Sequence, residues 1–85
     1  MNSKIEELTL MLLYLTAWDE EVPPFGTHKR SWKGYNKEVL DNLDGKGLIV
    51  GSNKSKTVFL TDEGAARAMQ LVNQYLQDRI EIFQR

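Results

Sequence analysis

Cysteine is missing from the 85 residues, which excludes disulfide staples and cysteine-built zinc sites and leaves nothing that argues for secretion. Histidine occurs once, so His28 has no second imidazole or thiol as co-ligand for a metal. The phosphate-cradling G-x-x-x-x-G-K-[ST], the dinucleotide G-x-G-x-x-G and the zinc-protease H-E-x-x-H are absent too. Ser52 and Ser55 have no base in their neighbourhood, and the carboxylates cluster in polar stretches rather than in an apolar pocket that would raise a pKa. A long hydrophobic run is also lacking: residues 8–18 are broken by Thr9 and Thr16 and are too short to span a bilayer. The expectation is a soluble, cytoplasmic, non-enzymatic protein without cofactor, metal site or membrane contact.

The chain does carry an uneven charge. Its formal net charge is -1, yet residues 28–60 hold seven cations (Lys29, Arg30, Lys33, Lys37, Lys46, Lys54, Lys56) against three anions (Glu38, Asp41, Asp44). The rest holds four cations against nine carboxylates. Such a division steers a polyanion toward one face, whereas the overall balance works against tight nonspecific binding. One small domain is implied, able to bury only about two-thirds of the surface it exposes when unfolded.

Taken in order, Ser3 and Glu6 have capping-box spacing and predict a first helix over residues 1–18. Ile5, Leu8, Met11 or Leu12, Leu15 and Trp18 recur every three or four residues, with Leu10, Leu13 and Tyr14 on other sides. One face of this helix belongs to the core, and a second is covered by the last helix or by another subunit. The triplet Asp19, Glu20, Glu21 with Val22, Pro23, Pro24, Phe25 and Gly26 reads as a solvated, rigid connection. Three successive acids do not converge on one ion, so a metal site is not expected there. Residues 28–35, H-K-R-S-W-K-G-Y, are assigned a short second helix with Trp32 and Tyr35 anchored in the core. Basic residues interleaved with aromatics also suit single-stranded nucleic acid, a weaker reading of so short a stretch.

Residues 35–61 organise the rest. Val39, Leu40 and Leu43 share one helical face, and Gly47 supplies the left-handed residue that closes a third helix. The branched and apolar Leu48, Ile49, Val50 and Val58, Phe59, Leu60 predict a β-hairpin over residues 48–60 with a polar tip. Thr61 before Asp62 and Glu63 is an N-cap. The last helix, residues 61–84, carries Ala65, Met69, Val72, Leu76, Ile80 and Phe83 in a heptad-like stripe, widened by Leu71 and Tyr75.

L-x-x-L-x-x-x-G-L-I (Leu40, Leu43, Gly47, Leu48, Ile49) followed by V-F-L-T-D-E-G resembles the wing region of many small bacterial winged-helix regulators. With L-L-Y-L-T (residues 12–16) and W-K-G (residues 32–34), nearly the whole chain resembles a small uncharacterised bacterial family, a domain of unknown function. The resemblance implies an α+β fold, mainly α with a small β-hairpin: a single winged helix-turn-helix with a long C-terminal helix.

Two functions follow as expectations. In the first, a dimeric DNA-binding transcriptional regulator meets the phosphates of double-stranded DNA through His28, Lys29, Arg30, Lys33, Lys37, Lys54 and Lys56. Met69, Val72, Leu76, Ile80 and Phe83 would form its homodimer interface. Against it, Glu38, Asp41 and Asp44 lie on the outward face of the presumptive recognition helix, where carboxylates repel phosphates. In the second, the same scaffold is a protein-protein interaction module that binds through its acidic helix face and apolar surfaces.

Overall fold

The computed structural model describes residues 2–51 and 55–83, with side chains at residues 3–51 and 55–76. It is a mixed α+β domain: α1 (Asn2–Leu15), β1 (Trp18–Glu21), β2 (Thr27–Trp32), α2 (Lys37–Gly45), β3 (Ile49–Val50), β4 (Thr57–Leu60) and the long C-terminal α3 (Asp62–Phe83). The strands form one sheet in the order β1-β2-β4-β3, with every neighbouring pair antiparallel.

The central unit forms as its local signals direct. The Asn36 side chain accepts from the Val39 N–H at 3.2 Å and starts α2. Gly47, at φ +76°, ends it, and the Leu48 N–H donates to Leu43 O at 3.1 Å, so the chain folds back over the buried Val39, Leu40 and Leu43. Ile49 then pairs with Leu60 and Val50 with Phe59. Thr61 Oγ1 accepts from the Gly64 N–H at 2.9 Å and donates to Gly47 O at 2.7 Å, tying the start of α3 to the end of α2. Gly64 permits this approach, since a Cβ there would stand 1.8 Å from Leu48 O.

The first half departs from expectation. Residues 28–35 hold no helix: residues 27–32 are the strand β2, so α2 has no helical partner before it in the manner of a helix-turn-helix. Helix α1 stops at Leu15, and Trp18 begins β1 instead of extending the helix. The reason lies between the two segments. W-D-E-E and H-K-R are complementary in charge, and the register sets Asp19 opposite Lys29 and Trp18 opposite Arg30. The connection between them is a hairpin turn closed by Val22 N–H to Gly26 O (2.8 Å), with Gly26 at φ +83° and a cis bond between Pro23 and Pro24. The capping box is not made either. Helix α1 already includes Ser3, and the Glu6 carboxylate turns inward to accept from Asn42 Nδ2 on α2 at 3.1 Å and from Lys46 Nζ at the α2 C-cap at 2.5 Å.

Because side chains alternate across a strand, the register divides the sheet into two faces. Lys29, Ser31, Val58, Leu60 and Ile49 point toward the helices, where Leu10, Met11, Leu13, Leu43, Ala68 and Leu71 complete the core. Trp18, Glu20, His28, Arg30, Trp32, Thr57, Phe59 and Val50 point to the other side, where among the described residues the helices contribute only Asp62, at the start of α3, beside His28.

Candidate interaction surfaces

The cations expected to meet phosphate are largely engaged within the chain. Lys29 Nζ lies 2.8 Å from Asp19, and this contact holds the Lys29 pKa above its ordinary value. Arg30 Nη1 lies 2.5 Å from Glu20, while its Nε donates to Thr57 Oγ1 at 2.8 Å and its guanidinium covers the Phe59 ring at 5.0 Å. Trp18 Nε1 also donates to Glu20, at 3.0 Å. That hydrogen bond first, and then the Arg30 charge, keep the Glu20 carboxyl below its usual range. Lys37 takes Asp41 at 3.0 Å along α2. His28 bridges the hairpin turn and α3, with Nε2 2.8 Å from Phe25 O and Nδ1 3.8 Å from Asp62. The Lys33 N–H donates to Lys56 O at 3.1 Å, which places these two residues opposite each other beyond the β2 and β4 pairing. Lys56 is exposed, and Lys54 lies outside the described residues. Glu38, Asp41 and Asp44 stay exposed along α2.

Among the described residues, apolar surface is open in two places. On the uncovered sheet face, Trp32 is 62% exposed and packs against half-buried Trp18 with ring centroids 5.6 Å apart. The expected core anchor is therefore Tyr35 alone, half-buried against the core. Trp32 follows the strand's alternation outward because Ser31 takes the inward position, fully buried and 3.1 Å from Thr16 Oγ1. Phe25 and Val50 extend this face around a groove of about 290 Å³ that His28 and Phe59 also line.

The second place is on α1. Leu10, Met11 and Leu13 are in the core, while Ile5, Leu8 and Leu12 are each 46% exposed and Leu15 is 51% exposed. Their steps of three, four and three make one straight ridge. The last helix does not cover it. Lys4 bonds Tyr75 and lies over its ring at 4.7 Å, and Glu7 accepts from Arg67 (3.2 Å) and from the Tyr75 hydroxyl (3.1 Å), so the two helices run in opposite senses. Arg67 belongs to the flank that faces α2, beside a cavity of about 150 Å³ lined by Glu6, Glu7 and Lys46. At 3.6 residues per turn, Ala65, Val72, Leu76 and the exposed Met69 fall on the other flank, next to the ridge. Of the residues expected in a dimer interface, Met69 is open, Val72 and Leu76 are half-buried, and the side chains of Ile80 and Phe83 lie outside the described residues.

Among the described residues, no group of three His, Asp or Glu is placed to hold a metal ion, and no helix is long and apolar enough to cross a membrane. Residues 1–78 match the family model Domain of unknown function (DUF6429). The chain belongs to that family. The uncharacterized protein y4hR of Sinorhizobium fredii (strain NBRC 101917 / NGR234) is 39% identical over 71 residues, spanning 82% of this chain and 85% of that protein. No solved structure matches. For this DUF6429 chain the match takes in α1, the sheet and most of α3, so both open surfaces lie within the shared region. Sequence periodicity had pointed to α3 for association. Spacing gives α1 a second apolar side, to be covered by the last helix or by another subunit, and the fold shows that α3 leaves that side open at Ile5, Leu8, Leu12 and Leu15.

Proposed function

We propose that this chain is a non-enzymatic protein-interaction module. One observation carries the reading: the acidic strand β1 draws Lys29 and Arg30 into ion pairs, while apolar ridges on the helices and aromatic rings on the sheet stay open beside them. A surface made to meet a phosphate backbone keeps its cations available, because the gain on binding comes from released counterions. Here the open surface is apolar, and α2 presents carboxylates where a groove-reading helix would present donors. Exposed apolar patches of this kind mark contact with another protein.

One feature supports double-stranded DNA as the second reading. The main-chain bond between Lys33 and Lys56 sets two basic residues at one end of β2 and β4, and α2 begins four residues after Lys33 with Lys37. Fluorescence anisotropy with a labelled duplex at low salt separates the two. The interaction reading expects no binding with a steep salt dependence. Binding that falls steeply with salt, and whose slope flattens by up to about two units in Lys37→Ala/Lys56→Ala, would overturn it in favour of DNA.

A further inference from the structure

Helix α1 is apolar over most of its girth through the middle, yet this chain covers only the side that carries Leu10, Met11 and Leu13. We infer that a second copy of the same chain covers the other side, ridge seated on ridge across a twofold axis, with the α3 flanks closing beside it. This rests on the interaction-module reading and names the partner for one of its surfaces.

The ridge selects its occupant by chemistry. Ile5, Leu8, Leu12 and Leu15 repeat at the spacing of helix-on-helix seams, where each side chain drops between those of a facing helix. No charged residue interrupts them. Lys4 stands at one margin, and its ammonium is already engaged by Tyr75 and Glu7. An uncharged ridge rejects an acidic or basic partner helix, which would bury its charges unpaired, and accepts one shaped and composed like itself. The area also fits. Four ridge side chains and Met69, each roughly half open, lie within the largest patch size of ordinary monomers, on the order of 300–600 Å². Val72 and Leu76 on the same flank bring the surface toward the ~800 Å² per partner of a stable pair. A chain of 85 residues gains more from such burial than a large domain does.

Sedimentation equilibrium of the full chain should give twice the 9.8 kDa chain mass. Leu12→Glu places a carboxylate in the seam and is expected to weaken association at least ~100-fold. Leu12 is half open in the single chain, so circular dichroism should stay unchanged. Trp32→Glu, on the open sheet face, should leave the mass doubled. The chain has no cysteine, so Leu8→Cys provides a single thiol pair. A short bismaleimide should join two copies of that variant, which decides the matter even if Leu12→Glu fails to fold. A parent that sediments as one chain at concentrations up to about 1 mM, a folded Leu12→Glu that stays dimeric, or Leu8→Cys chains that do not crosslink would each overturn the inference. If the parent is a single chain and also ignores DNA, the second copy is lost and the interaction reading stands. Salt-steep DNA binding by a dimer has the opposite consequence.

Discussion

Replacing Gly64 by alanine adds one methyl group at the place where α3 leaves the sheet, and the structure sets the size of the effect. The new Cβ would lie 1.8 Å from Leu48 O, 2.7 Å from Leu48 C and 3.1 Å from Leu48 Cα, all of them main-chain atoms that cannot rotate away. To recover a contact of roughly 3.5 Å, the start of α3 must retreat on the order of 1–2 Å. That movement stretches the Thr61 N–H to Leu48 O bond (3.1 Å) and the Thr61 Oγ1 to Gly47 O bond (2.7 Å), each worth about 1 kcal/mol. It also loosens the fully buried Ala68 and Leu71 one and two turns along, for about another 1–2 kcal/mol. Alanine's better helix propensity returns about 1 kcal/mol. The net loss is about 2–3 kcal/mol, a large part of the roughly 4–13 kcal/mol expected for a chain of this size. Thermal unfolding at fixed protein concentration should show Tm lower by about 10–20 °C. Ala66→Gly, at an exposed position of the same turn, should cost only about 1 kcal/mol. A Gly64→Ala protein as stable as the parent would refute the close approach of α3 to the α2–β3 turn.

Two smaller perturbations test the supports of the same framework. The hydrogen bond from Lys46 first, and then that from Asn42, hold the Glu6 carboxyl below its ordinary value of 4.5. Its contribution is therefore present above about pH 4.5 and lost as pH falls through the lower folded value. Glu6→Gln should accordingly lower Tm at pH 7 and approach the parent as pH falls below the carboxyl's lowered folded value; a difference that stays constant from neutral to acid pH would refute the linkage. Asn36→Ala removes the α2 cap bonded to the Val39 N–H and should cost about 1 kcal/mol in urea unfolding with no change in m.

The second half of the fold could be read directly because its signals are local. Gly47 closes α2, Thr61 opens α3, and two apolar triplets flank a polar tip, each legible within a few residues. The first hairpin has no such marks. W-D-E-E contains three residues of poor strand propensity, and what makes it a strand is T-H-K-R-S-W across the turn, a relation between segments that neither one discloses. The acidic triplet looked like a solvated connection because its partners were counted as free cations. Trp32 faces outward for a different reason, since residues 27–32 form a strand in which Ser31 takes the inward position. On α1, apolar residues over most of the girth weaken the asymmetry that usually identifies the buried side, and only the packing of the other elements buries Leu10 and leaves Leu12 open.

The division of charge along the sequence suggests a basic face, and the fold cancels much of it. Lys29, Arg30 and Lys46 come from the basic central stretch, and their partners Asp19, Glu20 and Glu6 come from the acidic remainder. Two of these pairs link β1 to β2 and the third links α1 to the end of α2, so the opposing populations act as stitching between separate elements. Lys37 is engaged by Asp41 inside its own helix. A field built from these groups is weaker and falls off more steeply than that of lone cations, because each has its counterion beside it. Among the described residues, the open apolar groups are the α1 ridge, the Met69 flank and the Trp18 and Trp32 rings. Free energy is still to be gained there by excluding water, which is the physical basis of the proposed contact with another apolar surface.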